Sequence, residues 1–297
     1  MKAQVFTVFT GPTALGNPAE VLLVDQLPDL QAHLHYIKSR PDYTGNTPSN
    51  NTVVYLKPLA NQTFAIRWFN NKNAIKRCGH GTLAAAAFIH NQQKNHSERA
   101  RYDFVSDSET LNVLASQNSY SLAFPTTDLR HIKLDSSGID IDRNTATDTA
   151  ASNNKHDNSL VFSAFNNPHR YSQTENEEGY IIIELKDMDT IKCFKLNHKI
   201  TELIEKRALI ISAKSKIDDS DIVFRYFAPQ YGQMEDTATG SAGSVLWPFW
   251  RDQFNARKRI LRCSQLSKEG GYLSLSQTVK GKVLVSGNVN ASPNNEY

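Results

Sequence analysis

Cysteine is scarce in this chain of 297 residues, with three in all: Cys78, Cys193 and Cys263. They are too few and too scattered for a disulfide framework or a paired-thiol zinc site, and such usage fits a reducing compartment. Charge of one sign does not accumulate either. The 33 Lys and Arg residues nearly balance the 30 Asp and Glu residues, for a formal +3, and no basic block is long enough to follow a phosphate backbone. Nucleic-acid binding is therefore excluded from the expected functions. Long hydrophobic runs are missing as well. No apolar stretch approaches the ~20 residues a membrane-spanning helix needs, and residues 1 to 10 alternate like a strand, without the apolar core and cleavage site of a signal peptide. The expectation is a soluble, cytoplasmic protein with no membrane partner.

Apolar residues make up 39% of the chain, enough for a sizeable core. The most informative stretch, residues 78 to 88, reads Cys-Gly-His-Gly-Thr-Leu-Ala-Ala-Ala-Ala-Phe. Glycines flank His80, Cys78 stands just before them, and an alanine-rich apolar helix follows. A turn of this kind points free backbone N–H groups at a small anion and sets a thiol and an imidazole beside it. The plainer reading is a helix start with a buried Cys and a core His. A second turn of similar build, Met234 to Trp250, carries the acidic pair Glu235-Asp236 and then Thr239-Gly240-Ser241 ahead of another apolar run. Glycine placement and the apolar run suggest a duplicated design, although the matched residues differ.

Strand patterns occur at residues 3 to 9, 53 to 56, 64 to 69, 111 to 114, 120 to 124, 180 to 185, 208 to 212 and 222 to 227, and a closing pair of strands is expected between Ser267 and Val285. Gly16-Asn17-Pro18 forms a tight turn after the first strand. Ser136 to Ser159, rich in Ser, Asn, Asp and Thr, reads as a surface excursion without chemistry. Two domains follow, 1–128 and 129–297, each a sheet wrapped about a central apolar helix; the fold class is α+β.

Proton transfer without a cofactor needs an acid–base group beside the reacting carbon and donors that hold a neighbouring carboxylate as charge develops. His80 and Asp236 are the titratable candidates. Gly79, Gly81 and Thr82 on one turn, with Gly240 and Ser241 on the other, are the candidate donors. No residue cluster suggests a metal.

Taken together, Gly16-Asn17-Pro18, Ile66-Arg67-Trp68-Phe69, the Cys78-Gly-His-Gly motif, Phe124-Pro125, and Glu235-Asp236 with Thr239-Gly240-Ser241-Ala242 resemble the phenazine-biosynthesis isomerase (PhzF-like) family of the diaminopimelate-epimerase-like fold. The resemblance implies two similar domains, each a barrel-like sheet around a helix, with the active site between them and a homodimer as the assembly. It places His80 and Asp236 on acid–base positions and Ser241 on a further polar site position. Asn17, Gly79, Gly81, Thr82 and Gly240 are the companion substrate-binding positions. It also marks departures. Where the family has a glutamate as its main proton carrier, this chain has Asn51, whose amide cannot carry a proton as a carboxylate does. Gly81 stands where Pro or Ala is common, and Gly243 where the family has His. Related racemases use paired cysteines; Cys78 matches the first, but Asp236 to Thr239 holds no thiol for the second. Two readings stay open: a cofactor-independent isomerase acting on a small carboxylated metabolite, or a catalytically silent protein that binds such a carboxylate.

Overall fold

The computed structural model describes residues 2–40, 52–93, 99–117, 119–132, 164–165, 168–176, 178–231, 234–255 and 257–292. Asn51 and the 136–159 segment lie outside the described residues. In chain order the elements are β1 (Lys2–Thr10), β2 (Asn17–Leu23), α1 (Leu30–Ser39), β3 (Thr52–Pro58), β4 (Thr63–Phe69), β5 (Ala74–Ile75), α2 (Gly79–Gln92), β6 (Arg99–Val105), β7 (Thr110–Ser116) and β8 (Ser119–Phe124). There follow β9 (Arg130–Ile132), β10 (Arg170–Gln173), β11 (Tyr180–Glu184), α3 (Met188–Cys193), α4 (His198–Ile204), β12 (Ala208–Lys214) and β13 (Ile222–Phe227). A short 3-10 turn (Gly240–Ala242) then leads into α5 (Gly243–Trp250), β14 (Ile260–Gln265), β15 (Gly271–Gln277) and β16 (Val283–Ala291).

By internal contact the chain forms two compact units. The first comprises Met1–Phe124, Thr237–Ser241 and Glu269–Tyr297; the second comprises Pro125–Asp236 and Ala242–Lys268. The sequence expectation used a single cut at residue 128, whereas the first unit is discontinuous because its sheet needs a strand from the far end of the chain. In that unit the strands run β1-β2-β3-β4-β6-β7-β8-β16. β16 pairs antiparallel with β8 on one edge and with β1 and β15 on the other, so the sheet closes on itself. Closure removes the exposed strand edges that an open sheet would present.

Helix α2 lies against β1, β2, β3, β6, β7, β8 and β16 and so runs inside this barrel. Its sequence fits that place. Every residue from Gly81 to His90 is buried, and a helix apolar on all sides belongs in a core rather than at a surface. The four consecutive alanines, Ala84 to Ala87, are small enough to let strands approach on all sides. Helix α1 packs outside the barrel, where Ile37 meets Leu22, Val53, Tyr55 and Phe69. β2 and β3 are thus covered on both faces, which explains why Val53 to Leu56 is continuously apolar rather than alternating.

The second unit is a mixed sheet in the order β9-β10-β11-β12-β13-β14. Alternate residues of its strands, Ile181, Ile183, Leu209, Ile211 and Val223, face a core shared with Ile191 of α3 and with Ile200 and Ile204 of α4. The opposite face receives α5: Trp250 Nε1 donates to Ser212 Oγ at 3.1 Å, and the Arg170 guanidinium lies 4.1 Å from the centre of the Phe249 ring. Each unit contains parallel neighbours, β2 with β3 and β4 with β6 in the first, β11 with β12 and β13 with β14 in the second. Parallel neighbours need a long crossover, and each pair has a helix in the connection between its strands. The α+β class holds, with more crossover character than a meander of hairpins would have.

Candidate active site

The first turn of α2 is built around a sulfur. Cys78 is the N-cap, extended at φ −136° and ψ 103°, and its Sγ accepts the Gly81 N–H at 3.4 Å. Both donors of Thr82 go to one acceptor, the Cys78 carbonyl, at 3.1 Å from the backbone N–H and 2.7 Å from the hydroxyl. Among the described residues no acceptor meets the N–H groups of Gly79 and His80. A helix N-terminus carries roughly half a positive charge, and here its free donors stand at partly exposed residues, open to a small anion.

Glycine is required in this turn by close approach. A Cβ on Gly81 would lie 2.9 Å from Trp68 Cδ1 and 3.0 Å from both Cys78 Sγ and Val54 Cγ2. The second glycine turn meets the first within the same unit, since a Cβ on Gly79 would lie 3.9 Å from Gly240 Cα. Behind Gly240 stands Phe9, whose ring would be 2.9 Å from a Cβ there. Phe9 has φ +64° at a bulge in the β1–β16 pairing, a conformation costly for a bulky residue. The bulge turns its ring towards Gly240.

His80 is held at both ring nitrogens. Nε2 lies 3.1 Å from the Thr52 hydroxyl, and Nδ1 lies 3.5 Å from Cys78 Sγ. Asn17 is buried at the start of β2, and its side-chain amide donates to the Ala238 carbonyl at 3.1 Å, tying down the segment that carries Gly240 and Ser241. The acidic pair divides its work. Glu235 forms a double ion pair with Arg225, at 2.6 and 2.8 Å, while Arg225 also donates to the Ile191 and Phe194 carbonyls. Asp236 is fixed through its backbone, whose N–H donates to the Tyr226 carbonyl at 3.0 Å and whose carbonyl accepts from Gln265 Nε2 at 2.6 Å. Of the predicted residues, the structure brings together Gly79, His80, Gly81, Thr82, Gly240 and Asn17 in the first unit; Ser241 ends the same segment, and Asp236 stands in the second.

Thr52 and Phe9 are not singled out in the sequence, and Trp68 enters only as part of a motif without a role of its own. Thr52 is a polar start to an apolar strand, the one signal that could have exposed it. Phe9 gives no sequence signal, because its φ is not legible in composition. Trp68 is buried, and its indole N–H has no hydrogen-bond partner among the described residues. Among the described residues there is no cluster of three His, Cys, Asp or Glu side chains that could hold a metal ion, and no helix is long and apolar enough to cross a membrane. The first turn of α2 sets the His80 imidazole beside amide donors that are unmet among the described residues, an arrangement able to hold a small anion.

A profile of phenazine biosynthesis-like proteins matches residues 6–292. Phenazine biosynthesis-like domain-containing protein 1 of Mus musculus is 28% identical, covering 97% of this chain and 96% of its own. An uncharacterized isomerase of Vibrio cholerae is 29% identical, covering 96% of this chain and 87% of its own. The crystal structure of a phenazine biosynthesis PhzC/PhzF protein from Clostridium difficile superposes with a TM-score of 0.76 at 23% identity, over 100% of this chain and 99% of that one. With a profile match that spans nearly all of its length, the chain belongs to the phenazine biosynthesis-like protein family.

Proposed function

We propose that the protein is an isomerase that relocates a proton on a small carboxylated metabolite, without a cofactor and as a homodimer. The observation that carries this reading is the first turn of α2, where the His80 imidazole stands among unmet N–H groups at the positive end of a 14-residue helix. In this reading the Gly79 and His80 amides hold the substrate carboxylate, and Gly81 lets the turn pack closely. Thr82 braces the turn through the Cys78 carbonyl, and Asn17 steadies Gly240 and Ser241, which complete the cradle. His80 exchanges the proton, since imidazole is the side chain whose ordinary pKa lies nearest neutrality. Asp236 orients a donor or an amine of the substrate. Asn51 holds the ligand by hydrogen bonds in the place where the family glutamate would carry the proton. The isomerase designation of the Vibrio cholerae relative supports this class of reaction; the silent-binder alternative has no such support.

The test is incorporation of solvent deuterium into small carboxylated metabolites chosen by a thermal-shift screen, in which a ligand of the folded state raises stability by mass action. Native protein should exchange a C–H proton without added cofactor, and His80→Ala should slow exchange by about 10²–10⁴-fold. Asn51→Glu should raise exchange on a family-type substrate. Binding without exchange, or exchange indifferent to His80→Ala, would sink the proposal.

A further inference from the structure

His33 and His80 differ in what meets their rings, and the contrast points to a role for Thr52. His33 Nε2 lies 3.0 Å from the Asn70 carbonyl. A carbonyl only accepts, so Nε2 carries the hydrogen, and Nδ1 accepts from the Tyr55 hydroxyl at 3.1 Å. That ring is locked in one tautomer. Among the described residues, no carbonyl or carboxylate meets either nitrogen of His80. Its partners there are the Thr52 hydroxyl on Nε2 and the Cys78 sulfur, which lies 3.5 Å from Nδ1 and 3.8 Å from Nε2, and both groups donate or accept as required.

We propose that Thr52 is a positioning residue that keeps His80 free to carry its proton on either ring nitrogen. This proposal deepens the isomerase reading and rests on it for its catalytic meaning. In one state the Thr52 hydroxyl donates to Nε2 while Nδ1–H points at the sulfur. In the other, Nε2–H donates to the Thr52 oxygen and the Cys78 S–H turns towards Nδ1. The number of protons is the same in both, and neither state leaves a ring nitrogen facing a partner of the wrong sense. The sulfur also accepts the Gly81 N–H, which holds it in place in either state. Thr52 is itself buried, and among the described residues its hydroxyl has no other partner than His80, as expected for a polar group whose burial is offset by one bond. A ligand that reaches the ring displaces one partner, and the other adapts to whichever proton state results. An isomerase that must take a proton and return it gains from a ring that is not locked.

The experiment reads the ring directly, with ¹⁵N-histidine-labelled protein at about pH 8, where an ordinary imidazole is neutral. In native protein the His80 nitrogens should show averaged shifts between the two tautomer limits, while His33 shows a single tautomer. Thr52→Val should move His80 to one tautomer, Thr52→Ser should restore the averaged shifts, and His33 should be unaffected by either, which reports an intact fold. On any substrate found by the exchange screen, Thr52→Val should lower kcat about tenfold or more with KM within about twofold, and Thr52→Ser should stay within about twofold of native in both. A locked His80 in native protein, or His80 shifts indifferent to Thr52→Val, overturns the proposal. Because the shifts are read without substrate, that result stands apart from a failure of the isomerase reading, which would show as absent or His80-independent exchange.

Discussion

Replacing Gly81 with alanine sets helix propensity against packing. Alanine in a helix is favoured over glycine by about 1 kcal/mol, but the new methyl would stand 2.9 Å from Trp68 Cδ1 and 3.0 Å from Cys78 Sγ and Val54 Cγ2. All three belong to buried side chains, and overpacking of this kind costs about 1–3 kcal/mol. We expect Gly81→Ala to lower stability in urea unfolding despite its better propensity; a gain in stability would show that Trp68 has room to shift. His33 supplies a second test, in pH. Burial pushes its pKa below the ordinary value, and the bond to the Asn70 carbonyl only partly opposes this. The unfolded chain therefore takes up a proton at about pH 6.5, while the folded chain does so only at lower pH. Stability is full above that value and is lost as pH falls below it, because the unfolded state then binds more protons. His33→Gln should flatten the slope of stability against pH between about pH 6.5 and 5; an unchanged slope would assign the effect to other groups.

Helix α1 shows how packing changes the meaning of a residue. Glu20 is a charged residue within the apolar run of β2, and it is 1% exposed because α1 covers it. Its carboxylate accepts from the Tyr36 hydroxyl at 2.9 Å and pairs with Arg40 at 2.5 Å. Burial and the nearby Glu20 charge both push the Tyr36 phenol upward, which keeps it a donor. The two ends of this pair are not equivalent. Arg40→Met leaves a buried carboxylate without its cation and should cost about 3 kcal/mol. Glu20→Gln removes the charge and keeps an acceptor for Tyr36, while the Arg40 head, nearer the surface, can turn to water. The Gln variant should therefore unfold at clearly higher urea than the Met variant; the opposite order would mean that Arg40 contributes by packing rather than charge.

For the first unit, closure depends on β16, the last strand described. Phe6 pairs with Ala291 on one side, and Val283 pairs with Phe124 on the other. Ending the chain after Gly281 should open the barrel around α2, and hydrogen exchange should accelerate in β1 and β8 towards the rates of locally open segments. Protection retained in both strands would show that the remaining sheet is stable while open. Helix α2 is part of the same test: buried on all sides, it has no solvent-facing stripe to present once the wall beside it is lost.

Local pattern in the sequence was enough to place most strands, the apolar helix behind Cys78 and the two glycine turns, because alternation, apolar runs and glycine are written within a few residues of one another. It also carried the resemblance to the family and the choice of His80. Pairing between distant strands has no such local record. Only the tertiary structure decided that β16 closes on β1 and β8, that parallel neighbours sit in both units, and that α1 buries Glu20. The same holds at the site. The bond between Thr52 and His80 spans 28 positions of chain, and Phe9 meets Gly240 from a bulge in the β1–β16 pairing. These are consequences of closing a barrel around a helix, and no window of sequence contains both partners.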